Sequence, residues 1–186
     1  MNFIQTYDNC LDKNECNEII DLFDKSENLD QGGTSAGINL KIKKCMNLNL
    51  TFYSGYGLSQ ENNKISSIIY PKLEKKLILY RDKFPLLAEG ATTKLDLEYH
   101  ISRFDEGDGY YKIHCEQASM YPKRMLVWMI YLNDAKSGTK FYHQRKTIKP
   151  KTGRLVVWPA AWTHMHSGVT PNKGSKYIVT GWISYT

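Results

Sequence analysis

Residues 124–158 read RMLVWMIYLNDAKSGTKFYHQRKTIKPKTGRLVVW. Runs rich in β-branched and aromatic residues occupy 124–132 and 153–158, with a shorter one at 139–144. They are separated by NDAKSG at 133–138 and KPKTG at 149–153. Short apolar runs bounded by Gly, Pro, Asn and Asp predict strands rather than helices. Outward from this stretch, 95–104, 110–116 and 176–185 share the texture, set off by EGDG at 106–109 and TPNKGS at 170–175. Six strands at this spacing predict a sandwich or barrel.

The N-terminal ninety residues differ. A weak alternation at 3–7 predicts a strand, and Asp12 is placed to cap a helix carrying Cys16, Ile19, Ile20 and Phe23. DQGGTSAG at 30–37 predicts a loop, and 40–50 a strand. Ser59 is placed to cap a helix through Ile65, Ile68 and Ile69, and Pro71 then kinks it or starts another carrying Leu73, Leu77 and Tyr80. The expected class is therefore mostly β, with N-terminal helices packed outside a β core.

Composition narrows the functional classes. The chain has 186 residues, a length that suits one domain. Twenty-five Lys and Arg against 19 Asp and Glu give a net charge of +6, spread along the chain with short clusters at 41–44 and 72–76. Such clusters read as solvated surface, and nothing marks a nucleic-acid partner. No apolar run reaches the roughly 18 residues of a membrane span, and the opening stretch lacks a secretory signal's basic and apolar regions. Cys10, Cys16, Cys45 and Cys115 have no paired metal-type spacing and read as free thiols, so a cytoplasmic setting is expected.

The polar residues that stand out are His114 and Glu116, two apart in the predicted strand 110–116. Side chains at i and i+2 project from one face, about 6.5–7 Å apart. An imidazole and a carboxylate thus approach a common point, and a second imidazole would complete a two-histidine, one-carboxylate facial triad, the ligand set of non-haem Fe(II) oxygenases. His164 and His166, in WPAAWTHMHSG at 158–168, are the candidates for it.

FDEGDGYYKIHCE (104–116), RMLVWMIYLND (124–134), SGTKF (137–141), IKPKTGRLVVWPAAWTHMHSG (148–168) and GSKYIVTGW (174–182) together resemble the catalytic core of 2-oxoglutarate/Fe(II)-dependent oxygenases. The branch they are most similar to is the prolyl 4-hydroxylase-like one, including its phage-encoded members. The likeness covers about 95–185, and QTYDNCLDKNECNEIIDLF (5–23) is similar to the family's entry strand and helix.

This resemblance implies a double-stranded β-helix (jelly roll) and a single dioxygenase domain over 1–186, with 1–90 as support and 95–185 as catalytic core. It implies Fe(II) held by His114, Glu116 and His166, with 2-oxoglutarate as co-substrate and ascorbate as an optional addition. Glu116 departs from the family's usual Asp. The family spaces its second histidine ten positions before the co-substrate's basic residue, so Lys176 selects His166, with His164 as the alternative. Lys176 is then the partner of the 2-oxoglutarate distal carboxylate, and Tyr131 either assists it or is a core aromatic. Thr180 and Trp182 fall beside the iron pocket, and Arg124 falls where relatives contact substrate or is a solvated strand end. Phe104 replaces a tyrosine found in some members. His100 and His143 match no ligand position, and Cys115 is expected to pack on the opposite face.

The implied activity is hydroxylation of a peptidyl proline with release of succinate and CO2, acting on a protein or peptide in the cytoplasm, that of a bacterial host if phage-encoded. Two other readings stand beside it: a nucleobase demethylase of the same cofactor class, and a non-enzymatic jelly-roll module that binds peptide or carbohydrate. The oligomeric state is left open.

Overall fold

The computed structural model describes residues 2–53, 58–90 and 92–186. Strand β1 (Gln5–Tyr7) leads into helix α1 (Lys13–Lys25). There the Asp12 carboxylate accepts from the Glu15 amide and the Glu15 carboxylate accepts from the Asp12 amide, each at 2.9 Å. This reciprocal box satisfies N–H groups that a first helical turn leaves unpaired. α1 buries Cys16, Ile19 and Phe23, the face its spacing predicts.

Ser59 caps α2 (Gln60–Lys83) by accepting from the Asn62 amide at 3.1 Å. α2 runs on through Pro71, so no new helix starts there. A mid-helix proline costs about 3 kcal/mol. Ile65, Ile69, Leu73 and Tyr80 are all buried on this helix, and each buried side chain of this size contributes about 1.5–3 kcal/mol. Burial outweighs the proline, and the helix holds. A short helix, α3 (Leu86–Gly90), follows.

Among the described residues, seven antiparallel strands form the larger sheet. Its order is β1, β8 (Arg154–Pro159), β5 (Arg124–Tyr131), β10 (Lys176–Tyr185), β4 (Thr93–Phe104), β3 (Met46–Thr51) and β2 (Leu29–Gln31). The smaller sheet is β7 (Lys146–Ile148), β6 (Gly138–Phe141) and β9 (His166–Val169). The fold is a jelly roll with the helices outside, as expected. Strands from the first ninety residues form both edges of the larger sheet.

The pleat divides the larger sheet into two faces. Leu126, Trp128, Ile130, Leu155, Val157 and Val179 pack with α1 and α2 in one core. Val127, Met129, Tyr131, Val156 and Trp158 pack against Phe141 and Ile148 of the smaller sheet in a second. Gly181 allows this on β10, because a Cβ there would lie 2.3 Å from the Trp128 ring. The opposite face of β10 turns Lys176, Ile178, Thr180 and Trp182 into the space between the sheets. Among the described residues, no helix is long and apolar enough to cross a membrane.

Several local expectations need correction. The segment 110–116 is not a strand; it is irregular and touches its neighbours through isolated bridges of Tyr110 to Lys43 and His114 to His166. Its glycine-rich approach and lack of a continuous partner strand leave no ladder to regularise it. Asp30 and Gln31 belong to β2 rather than to a loop, because they pair with Asn47 and Met46. The strand expected over 40–50 starts at Met46, after a turn in which Ile42 and Lys43 both donate to the Asn39 carbonyl. β6 ends at Phe141, and a turn with positive φ at Arg145 leads into β7, which is too short to announce itself.

Candidate active site

The second imidazole reaches the first through the backbone. His114 and His166 exchange amide–carbonyl hydrogen bonds of 2.9 and 2.8 Å, joining the irregular segment to the start of β9. The Glu116 and Gln117 amides both donate to the Ala160 carbonyl, which fixes the other end of the segment beside β8. So His114 and Glu116 converge through two anchors and not through a pleat. Oε1 of Glu116 lies 3.3 Å from Nε2 of His114 and 3.7 Å from Nε2 of His166. The ligand atoms of the three residues all fall within 4.8 Å of one another.

Both imidazoles are fixed in the same sense. Nδ1 of His114 meets the Lys112 carbonyl and Nδ1 of His166 meets the His164 carbonyl, each at 2.9 Å. A carbonyl only accepts, so each Nδ1 carries the proton and each Nε2 presents its lone pair to the cluster. The Tyr110 ring stacks on His114 at 3.6 Å between centroids, while Phe141 and Trp158 flank His166. Burial alone would raise the Glu116 pKa, but when the imidazoles also carry a proton on Nε2 their hydrogen bonds and charge outweigh it and hold the carboxyl well below its usual range; the neutral rings are the form that offers lone pairs to a metal.

The far oxygen of that carboxylate has its own partners. Oε2 accepts from Trp182 Nε1 at 3.1 Å and lies 3.5 Å from Arg124 Nη1. The Arg124 guanidinium sits between the rings of Trp182 and Tyr121, at 3.5 and 3.7 Å from their centroids. Two aromatic faces and a carboxylate hold it in place.

The cluster opens into a cavity of about 410 Å³ between the sheets. Lys176 lines it while being 2% exposed, and burial pushes its ammonium down to about 8. Its Nζ lies 3.3 Å from the Val169 carbonyl and beside Gly168, two residues along β9 from His166. Thr180 and Trp182 line the same wall. Tyr131 is fully buried with its hydroxyl 2.7 Å from Thr139 Oγ1, and it is Thr139 that lines the cavity.

His164 is turned away from this cluster. It sits in a short 3-10 turn (Trp162–His164), its Nδ1 meets Thr163 Oγ1 at 3.0 Å, and its Nε2 is buried without a partner. His143 is exposed near Trp162.

Cavity residues that escape the sequence reading include Cys115, His100, Thr139 and Lys43. Cys115 lines the cavity instead of packing on an opposite face, because its segment does not alternate. His100 lines it from β4, packed near Trp182, with burial first and then Lys43 pushing its pKa down to about 3. Thr139 does so from β6. Lys43, expected on a solvated surface, is 7% exposed and also lines the cavity. No linear signal separates Lys43 from Lys41 and Lys44; only the bridge to Tyr110 turns it inward.

Two histidines and a carboxylate around one point inside a jelly roll form the ligand set that non-haem Fe(II) oxygenases use. Residues 99–184, which carry all three, match the model of the 2OG-Fe(II) oxygenase superfamily. No curated protein matches the chain in sequence. Solved structures share the fold. The viral collagen prolyl hydroxylase of Paramecium bursaria Chlorella virus-1, in its 2-oxoglutarate complex, superposes with a TM-score of 0.69 at 19% identity, covering 99% of this chain and 97% of that one. A Pseudomonas putida prolyl-4-hydroxylase gives 0.70 at 17% identity, covering 99% and 94%. A Trichoplax adhaerens prolyl hydroxylase, in complex with a hypoxia inducible factor peptide fragment, gives 0.75 at 14% identity, covering 100% and 84%.

The superfamily implies Fe(II) and 2-oxoglutarate, and the residues fit both. Two oriented Nε2 lone pairs and an ionised carboxylate suit a divalent iron and leave coordination positions open. A buried ammonium on the cavity wall suits the far end of a dicarboxylate.

Proposed function

We propose that the chain is an Fe(II)- and 2-oxoglutarate-dependent hydroxylase of a peptidyl proline. The observation that carries this reading is the convergence of His114, Glu116 and His166 in a cavity that also holds Lys176. In it His114, Glu116 and His166 hold the metal, Lys176 receives the distal carboxylate of 2-oxoglutarate, and Tyr131 steadies that end through Thr139. Bound together, Fe(II) and 2-oxoglutarate supply the oxidant: O2 oxidatively decarboxylates the co-substrate to succinate and CO2, and its second atom is inserted into a substrate C–H bond. The chain's own residues bind and orient. Trp182 and Arg124 hold Glu116 by its outer oxygen, and Trp182, Thr180 and Arg124 wall the space left for the prime substrate.

Support for a peptide comes from a second hollow of about 580 Å³ that shares Asn49, His100, Tyr121, Arg124 and Trp182 with the cavity. An extended chain laid there reaches the metal side of the cavity. The fold likeness to prolyl hydroxylases, one of them bound to a peptide fragment, favours proline. We read residues 1–186 as one functional domain and place its work in the cytoplasm, where thiols such as Cys10 and Cys16 stay free.

The test is succinate release with Fe(II), 2-oxoglutarate and a panel of proline-containing peptides. The expected result is peptide-stimulated succinate and a peptide heavier by one oxygen atom on the proline. Succinate release that no peptide stimulates, or oxidation that falls on a nucleobase, contradicts it.

A further inference from the structure

We propose that Lys43 is an anion-binding subsite for the prime substrate, so that the preferred peptide carries a carboxylate side chain beside the residue that is hydroxylated. This deepens the peptide reading and rests on it.

Lys43 stands in the turn before β3, where its backbone bridges to Tyr110. Its side chain is nine-tenths buried, lines the cavity, and lies over the Tyr110 ring at 5.4 Å. Among the described residues it has no ion pair and its ammonium makes no hydrogen bond to protein. Its neighbour Lys44 is engaged with Asp108 at 2.8 Å, and the rim residue Asp30 accepts from Asn49. With its stem buried and its ammonium on the cavity wall, it is placed to meet an anion that enters the cavity.

The cavity's other two cations have roles already: Lys176 stands ready for the distal carboxylate of 2-oxoglutarate, and Arg124 is clamped between two rings with a Glu116 oxygen 3.5 Å away.

Position argues against a second grip on 2-oxoglutarate. The Lys43 ammonium lies over the Tyr110 ring, which stacks on His114, whereas that of Lys176 lies over Phe104 at 4.7 Å. Lys43 is thus set nearer the metal side of the cavity, which adjoins the second hollow at His100 and Asn49.

The experiment uses the full chain loaded with Mn(II) and 2-oxoglutarate, which does not turn over. Calorimetry measures binding of proline peptides that differ only in Asp, Asn or Lys next to the proline, for the parent, Lys43→Met and Lys43→Glu. The parent is expected to favour Asp over Asn roughly tenfold or more. Lys43→Met erases that difference, Lys43→Glu reverses it toward Lys, and 2-oxoglutarate affinity stays unchanged in both.

A second arm needs no peptide: Mn(II)-enhanced relaxation of carbon-13 acetate, expected in the parent complex and reduced in Lys43→Met. Equal affinity of the parent for Asp and Asn peptides, a preference that survives Lys43→Met, or a tenfold loss of 2-oxoglutarate in that variant overturns the proposal. If no peptide binds while acetate relaxation depends on Lys43, the peptide reading fails and the anion subsite stands. If acetate relaxation is the same in both proteins, the subsite fails.

Discussion

Trp182 donates its indole N–H to Oε2 of Glu116 over 3.1 Å, and this leaves Oε1 as the oxygen that faces both imidazoles. Glu is one methylene longer than Asp and has one more torsion to fix. The contact with Trp182, backed by Arg124 at 3.5 Å, supplies the restraint and assigns each oxygen a separate task.

Trp182→Phe keeps the ring against Arg124 and removes the donor. The hydrogen bond holds Oε1 in place before the metal arrives, so its loss removes preorganisation, and Mn(II) or Co(II) affinity is expected to fall by about tenfold or less. In a Glu116→Asp background the shorter carboxylate no longer reaches the indole, and the same substitution should change metal affinity little. Titration of the four proteins with Co(II), followed by its visible spectrum, measures the coupling.

Glu116→Asp should retain measurable metal binding, and Glu116→Ala should lose most of it, because a charged ligand is removed from a three-ligand site. Metal titration of the two variants checks this. Equal affinity for Glu116→Ala and the parent means that another residue is the carboxylate ligand.

Lys176→Ala should raise the 2-oxoglutarate requirement roughly 10- to 150-fold by loss of a charge-assisted contact, while metal affinity stays nearly intact. The pH dependence follows from its buried ammonium, pushed down to about 8. Below that value Lys176 is charged and can meet a carboxylate; as pH rises through it the proton is lost and 2-oxoglutarate binding weakens. Lys176→Arg keeps its charge across this range, so its profile should be flat even if its bulk lowers affinity. Equilibrium binding of 2-oxoglutarate from pH 7 to 9 is the measurement.

The rim of the cavity includes Gly33, Thr34 and Ser35 from one side and Ala118 and Tyr121 from another. Loops on a rigid scaffold commonly close over substrate. Backbone hydrogen exchange in 30–37 and 117–123 is expected to slow when a substrate peptide is added. Unchanged exchange in both segments counts against closure.

Legibility in the sequence followed the reach of each local signal. The alternation of β10 placed Lys176, Thr180 and Trp182 on one face, because a long paired strand obeys its period of two. The same period does not hold at 110–116, where His114 and Glu116 converge without a pleat; the bonds to His166 and Ala160 are non-local and leave no mark in the segment itself. Lys43 was hidden for the same reason, since a single tertiary bridge decides whether a lysine in a basic cluster points to water or inward. The contacts of Trp182 and Arg124 with Glu116 join residues 66 and 8 positions apart, and no spacing rule connects them.

The central claim is that His114, Glu116 and His166 bind the metal while Lys176 binds the far end of the co-substrate. A crystal structure with Mn(II) and 2-oxoglutarate, phased on the manganese anomalous signal, tests it most directly. The account predicts manganese bound by Nε2 of His114, Nε2 of His166 and Oε1 of Glu116, with the distal carboxylate of 2-oxoglutarate on Lys176. Manganese on His164, none between the three residues, or a co-substrate whose far carboxylate rests on Lys43 would contradict it.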